Sequence, residues 1–421
     1  MTTAAQTSGS SIPDGTDLLC PAAYARGGYP WARWDQLRRE APISQLMLAG
    51  KPYWAITRHA DITTIGRSPE LFLNGPKLVI RDTSGDDPSF ASRPKSLIEM
   101  DNPQHRAHRR LISNRFTPRA LKSIHGDIDR IAREIVEKLL AKGDGATIEF
   151  VEHVSAPLPI AVIAWLLGVD ESDWNLIFDW TNRIIGGDDP EYQPIGRTRQ
   201  EDGLSAMTEL FTYFAKLVEE RRSNPKDDLI SLFTQAEVDG RKLDMMEILA
   251  WCQIIVVAGN ETTRNATSGG LLAFIEHPEQ LRRLQADPGL MRPAIEEVVR
   301  WTSPIIHFGR TAARDTVVSG VGIKAGEELA LFYPSANRDE AVFPDPYTFR
   351  IDRHPNPHVG FGVGEHFCAG AHLARLELEM AFKYLLPRIA EIEVAGPIDR
   401  LHSNLVGGIK RLPIRYRLKA A

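Results

Sequence analysis

Apolar positions recur at helical spacing through most of the chain, and only a few short stretches alternate with the period of a strand. Residues 31–41 predict a short amphipathic helix. Two strand-like runs, 43–48 and 53–57, flank an Ala-Gly-Lys-Pro turn and predict a hairpin. Helical patterning returns at 103–143, 157–167 and 204–222. The longest helical stretch is 243–275, which at 1.5 Å per residue spans about 50 Å, enough to cross a domain. Its middle, 251–258, is apolar nearly all round and is expected to be buried. Helices continue to about residue 302, and short strands follow at 316–321 and 329–332.

Between these segments lie stretches without a period. Residues 1–28, rich in Ser, Thr, Gly and Ala, predict a loose tail. Residues 74–94 and 186–198 carry Gly, Pro and acids and read as loops. A proline-rich meander at 343–357 leads into a glycine-rich loop and a last helix over 369–386. No repeat and no linker interrupts residues 29–421, so the expected organisation is one large, mostly helical domain with small β elements.

Charge narrows the function. Fifty Lys and Arg against 55 Asp and Glu leave a net charge of −5, without the basic excess of a nucleic-acid binder. The apolar run 157–169 falls short of the ~18 residues a membrane span needs. The first residues lack a basic n-region and an apolar h-region. A cytoplasmic protein without a membrane anchor is expected. Cys20, Cys252 and Cys368 form no C-x-x-C pair, which argues against a zinc site of that spacing and against a disulfide framework.

Cys368 lies in Phe361-Gly-Val-Gly-Glu-His-Phe-Cys-Ala-Gly370, at the mouth of the last helix. Glycines let the backbone turn its N–H groups toward the sulfur, and a helix N-terminus favours negative charge. Both effects are expected to lower the thiol pKa, giving a nucleophile or a metal ligand. A dinucleotide loop is excluded: Gly362 and Gly364 fit G-x-G-x-x-G, but the third place is Phe367. A lone cysteine is more often a small buried hydrophobe. The flanking Phe, glycines and His weigh against that here.

F-x-x-G-x-x-x-C-x-G resembles the haem-thiolate signature of the cytochrome P-450 monooxygenases, matched by Phe361, Gly364, Cys368 and Gly370. The resemblance runs over about residues 30–418 and implies the triangular, mainly α haem-binding fold with small β-sheets. It implies heme b with Cys368 as axial ligand to iron, a thiolate that favours O–O cleavage. Other segments agree in the family's order. Ala258-Gly259-Asn-Glu261-Thr262-Thr resembles the oxygen-activation stretch, and Ala258 and Gly259 then lie against the haem. It implies that Gly259 opens a groove for dioxygen, that Thr262 supplies a hydroxyl beside it, and that Glu261 feeds protons. Many members carry Asp at the Glu261 place.

Glu297-Val-Val-Arg300 alone says little, since such i, i+3 pairs abound on solvated helix faces. It resembles the family's E-x-x-R motif, with Arg353 of the meander as third, structural partner. His105 and Arg109 match an H-x-x-x-R helix, and one helix face can present both. With Arg310 and His366 they are implied to hold the haem propionates.

The 258–265 and 356–362 stretches resemble a bacterial subgroup that hydroxylates steroid side chains, methyl-branched lipids or terpenoids. Ile254, Val257, Ala258 and Ile306 are expected as walls of a hydrophobic substrate pocket, with loops 74–94 and 186–198 at its entrance. A monomer fed by a small acidic ferredoxin and its ferredoxin reductase is expected, docking on Arg106, Arg110, Arg115, Arg119 and Arg375. A peroxide-driven fatty-acid hydroxylase or an isomerase on the same fold, and a non-oxygenating haem sensor, are the alternatives. The intact Glu261–Thr262 pair disfavours them.

Overall fold

The computed structural model describes residues 13–82, 95–193 and 195–420. Helices dominate. The long helix Met245–Glu276 crosses the molecule and packs against Pro157–Leu167, Trp174–Ile185, Arg199–Ser223, Met291–Thr302 and Ala371–Leu385. Its start is set by Asp244, whose carboxylate accepts the Glu247 N–H at 2.9 Å while Glu247 reaches back to the Asp244 N–H at 2.8 Å. This capping box satisfies donors that the first turn would otherwise leave orphaned. Among the described residues, no helix is long and apolar enough to cross a membrane.

The strands lie mostly on one side. Ile43–Leu48 and Lys51–Ile56 form the expected hairpin, with Ile43 opposite Ile56. Glu328–Phe332 adds to it in parallel, and His307–Ala312 and Phe72–Leu73 complete a five-stranded sheet. The stretch 316–321, read as one strand, is instead a short hairpin of Thr316–Val318 and Val321–Ile323. Its turn holds Ser319 and Gly320 at positive φ.

Other expectations need correction. Residues 1–12 of the expected tail lie outside the described residues. From residue 13 onward the chain is packed: Pro21–Gly27 is a helix, and Leu18, Leu19 and Tyr24 are buried with Trp34 and Phe332. Their apolar side chains outweigh the loose composition of the segment. The 103–143 stretch is two helices, Gln104–Ser113 and Pro118–Leu140. Thr117 caps the second by accepting the Ala120 N–H at 3.2 Å, and Pro118 fits its first turn. The last helix begins at Ala371, because Cys368–Gly370 form its entry turn.

The two loops are anchored. Residues 74–82 form no regular element, and 83–94 lie outside the described residues. Asn74 is buried, donating from its backbone to Asp101 at 2.7 Å and from its side chain to the Ile98 carbonyl at 2.7 Å. In 186–198, buried Asp189 accepts the His402 N–H at 3.0 Å and pairs with Lys410 at 2.9 Å.

Candidate active site

The cysteine loop is built around backbone that favours glycine. Gly362 and Gly364 have φ of 72° and 77°. A Cβ on Gly364 would lie 2.0 Å from the Gly66 carbonyl oxygen, so the loop can close on the His59–Gly66 helix only without a side chain there. The Cys368 N–H donates to the Phe361 carbonyl at 2.9 Å, which turns the residue outward. Phe361 is held by the Arg375 guanidinium over its ring at 4.4 Å. Arg375 pairs with Glu296 at 2.6 Å, and His358 meets the same carboxylate at 3.0 Å. Burial would raise the Glu296 pKa, but these two partners outweigh it and hold it at about 2.

Cys368 is exposed to the space in front of it yet lies deep in the protein. That depth pushes its thiol pKa up. The Gly370 N–H, Arg109 and Arg375 act in the expected direction but do not prevail, which corrects the expectation of a lowered pKa. A thiolate here needs a cation in front of it.

Four groups that can carry positive charge meet beside this loop. His105 and Arg109 project from one face of Gln104–Ser113, His366 lies in the turn before the cysteine, and Arg310 comes from His307–Ala312. The His105 and His366 rings stack with centroids 3.9 Å apart. Burial, then His105, Arg310 and Arg109, hold the His366 pKa at about 3. Both ring nitrogens of His105 are buried without a partner. Arg109 donates to the Phe367 carbonyl at 2.6 Å, Arg310 donates to the Gly309 carbonyl at 2.7 Å and to the Tyr333 hydroxyl, and among the described residues neither has an ion-pair carboxylate. Orphaned donors around an outward thiol fit a cofactor with anionic arms and a thiophilic metal.

The long helix supplies an open face. Ala258 is exposed, and Ile254 and Val257 are half-buried. The expectation that 251–258 is wholly buried therefore fails at its C-terminal end, where the helix faces a space. Thr262, one turn on, donates from Oγ1 to the Ala258 carbonyl at 2.8 Å. A Cβ on Gly259 would meet Ile163 at 2.5 Å. Its bareness lets Pro157–Leu167 pack close there.

Glu261, about 100° around the helix from Thr262, is 1% exposed. One of its oxygens pairs with Arg264, which donates to Asn182 Oδ1 at 3.0 Å, and the other has no partner. Burial raises the Glu261 pKa, and Arg264 opposes that. Sequence reasoning missed Arg264 and Asn182. The signal was available for Arg264, since Glu261-Thr-Thr-Arg264 repeats the spacing of Glu297-Val-Val-Arg300 in a helix read as buried. Nothing local could have marked Asn182.

Glu297, Arg300 and Arg353 come together as expected. Glu297 takes bonds from Arg300 at 2.7 and 2.8 Å and from Arg353 at 3.1 and 3.2 Å, and from the Arg350 N–H and Asn356. Arg300 and Arg353 then bond the Pro346 and Pro344 carbonyls, tying the meander to the helix. Ile306 does not join the open face. It is fully buried in the cluster of Leu18, Trp34 and Phe332, because the expected tail folds over it. Arg106, Arg110, Arg115 and Arg119 are exposed, with Arg106 paired to Glu365. Arg375 is half-buried and already held by Glu296.

The cytochrome P450 family model matches residues 35–288 and 289–400. The chain is 38% identical over 389 residues to the methyl-branched lipid omega-hydroxylase of Mycobacterium tuberculosis, covering 90% of this chain and 89% of that protein. It is 38% identical over 421 residues to the steroid C26-monooxygenase of the same species, covering 96% and 94%. A crystallised cytochrome P450 of Mycobacterium marinum in complex with pseudoionone superposes with a TM-score of 0.89 at 35% identity, covering 97% of this chain and all of that one. The chain belongs to the cytochrome P450 family and is a haem-thiolate monooxygenase. Such enzymes oxidise hydrophobic substrates with dioxygen and electrons from redox partners.

Proposed function

We propose that residues 29–421 form one haem domain that hydroxylates an unactivated C–H bond of a steroid side chain, a branched lipid or a terpenoid, with electrons from a ferredoxin. The observation that carries the cofactor part is the meeting of His105, Arg109, Arg310 and His366, without carboxylate ion-pair partners among the described residues, beside an outward Cys368. Heme b, when bound, supplies an iron that activates dioxygen.

The chain's own residues do the rest. Cys368 offers its sulfur to the iron, and the Phe361 carbonyl and Gly364 hold the loop that presents it. His105, Arg109, Arg310 and His366 would donate to the propionates, His105 through the one N–H of its neutral ring. Phe361 and Gly370 would line the cysteine side of a bound haem, and Ala258 and Gly259 the opposite side.

Thr262 already spends its hydroxyl proton on the Ala258 carbonyl. Its free lone pairs can hold the proton of a neighbouring water, so it orients a donor beside dioxygen. Glu261, with a raised pKa and one unpaired oxygen, can hold a proton at that atom. Arg264 fixes the other oxygen and aims the free one. Ile254, Val257 and Ala258 give the substrate an apolar wall and exclude water from it. The two relatives named for steroid and methyl-branched lipid oxidation support that substrate class.

Exposed Arg106, Arg110, Arg115 and Arg119 form the face for an acidic ferredoxin, itself reduced by a ferredoxin reductase. We take the enzyme to work as a cytoplasmic monomer. The decisive experiment is the carbon monoxide difference spectrum of Cys368→Ser. Loss of the thiolate band is expected, and its retention would remove Cys368 as ligand. An optical titration with a sterol enone and a monoterpenoid then tests the substrate. A low-to-high-spin shift with the sterol is expected, and no shift with either overturns the substrate class.

A further inference from the structure

Two adjacent acids on the Met291–Thr302 helix hold two different parts of the protein. Successive residues point about 100° apart around a helix. Glu297 braces the meander through Arg353. Glu296 turns to the cysteine loop instead. Its oxygens take Arg375 Nε at 2.6 Å and Nη2 at 2.9 Å, a forked pair that fixes the guanidinium in direction as well as place. One of them also receives His358 Nε2 at 3.0 Å. His358 Nδ1 accepts the Gly360 N–H at 3.2 Å, so the ring proton is left to Nε2 and Glu296. A Cβ on Gly360 would meet Val299 at 2.7 Å, so this stretch lies tight against the same helix.

Arg375 is engaged at every nitrogen. Its Nη1 donates to the Ala371 carbonyl at 3.3 Å, beside the two bonds to Glu296. The guanidinium stands over the Phe361 ring, 4.4 Å from its centroid. Phe361 supplies the carbonyl that takes the Cys368 N–H at 2.9 Å. One chain of contacts therefore runs from Glu296 through Arg375 and Phe361 to the cysteine.

Charge follows the same route. Burial raises the Cys368 pKa, and the Gly370 N–H, Arg109 and Arg375 pull against it. A propionate on Arg109 would neutralise that guanidinium. Arg375 has Glu296 for the same purpose. What the sulfur feels from this side is the difference between one cation and one anion. The two side chains are 27% and 26% exposed, so water screens them only in part.

We propose that Arg375 is a positioning residue that favours reduction of the iron, and that Glu296 sets how much of its charge reaches the Cys368 sulfur. The proposal rests on the reading of Cys368 as axial ligand. The redox partner supplies one electron, which takes ferric iron to ferrous and makes the site one charge more negative. A nearby cation then favours the reduced state, and a nearby anion the oxidised one. Neither side chain touches the iron, and the pair makes or breaks no bond in the step.

The test is a spectroelectrochemical titration of the ferric–ferrous couple in the substrate-free holoenzyme, at fixed pH and salt. Glu296→Gln keeps the shape, loses the charge and should raise the potential. Arg375→Gln should lower it. Each shift is expected at about tenfold in the reduction equilibrium, about 59 mV for one electron. Arg375→Lys keeps the charge and should stay within about threefold of the parent. Lys383 is a paired cation about two turns further along the same helix, and Lys383→Gln should also stay within about threefold.

The carbon monoxide spectrum separates this proposal from the reading beneath it. A parent enzyme without the thiolate band would end the assignment of Cys368 as ligand, and the proposal with it. With the band intact, the proposal alone fails if Glu296→Gln does not raise the potential, or if Glu296→Gln and Arg375→Gln move it the same way, as a loosened loop would. It fails equally if Arg375→Lys falls as far as Arg375→Gln, or if Lys383→Gln shifts as much as either. Should Arg375→Gln lose its haem, Glu296→Gln and Arg375→Lys still decide the outcome.

Discussion

Glu297 and Arg300 face each other at 2.7 Å with neither side chain open to solvent. A buried pair of this kind adds little beyond an apolar pair of the same shape, but removing one partner strands the other. Arg300→Ala would leave Glu297 with Arg353 as its sole cationic partner among the described residues, beside the Arg350 N–H and Asn356, and release the Asn337 and Pro346 carbonyls. A loss of about 3–5 kcal/mol is expected. Thermal melting of the holoenzyme and its haem-to-protein absorbance ratio check this. An unchanged melting temperature would contradict the bracing role of the pair.

Gly364→Ala tests the cysteine loop. Its positive φ costs an alanine about 1–2 kcal/mol, and the added Cβ would also strike the Gly66 carbonyl. Reduced haem retention is expected, read from the Soret absorbance after gel filtration. Gly322→Ala is the control, because nothing lies within 4 Å of a Cβ there and the residue lies in the Thr316–Ile323 hairpin, outside the haem-binding set.

His307 gives a pH dependence with a definite sign. It is fully buried, its Nδ1 bonds the Asn404 carbonyl at 2.8 Å, and its Nε2 accepts the Ile80 N–H at 3.1 Å. Burial pushes its pKa down from 6.5 to about 4, with the two backbone bonds opposing and no charged side chain contributing. Between those values the unfolded chain binds a proton that the folded one refuses. Stability from this residue is therefore full above pH 6.5 and is lost as pH falls toward 4, by about 3 kcal/mol. Urea unfolding at pH 7.5 and pH 5 should show a smaller drop for His307→Gln than for the parent.

Thr262→Ala tests the oxygen face. Removing one oriented hydrogen bond worth about 1.4 kcal/mol should lower product per NADH by about tenfold, with the electrons recovered as peroxide. Unchanged coupling would take Thr262 out of the mechanism.

The basic face predicts a salt effect. Reversing Arg110 and Arg115 to Glu should slow reduction by ferredoxin by about tenfold at low ionic strength, and the gap should narrow with salt. Arg115 has only a 3.9 Å contact with exposed Asp227, so the change disturbs no buried pair. Stopped-flow reduction measures it. Equal rates at low salt would place docking elsewhere.

The sequence alone determined a great deal. The order of Glu261-Thr262, Glu297-x-x-Arg300, Arg353 and Phe361-to-Gly370 is a covalent fact, and each motif acts within one or two turns of backbone. Helix spacing put Met245–Glu276 within two residues of its bounds, since a periodic pattern of that length is a strong local signal. Tertiary structure decided what lies between segments. Ala258 is open because of what does not pack against it, and Ile306 is closed because Leu18 and Trp34, nearly 300 residues away in the chain, cover it. Gly259 admits Ile163, Glu261 is bound by Arg264, which Asn182 holds in turn, and the Cys368 thiol is pushed up by depth. Periodicity records which face of an element is apolar. It does not record which partner arrives there, and burial, pairing and pKa are set by that partner.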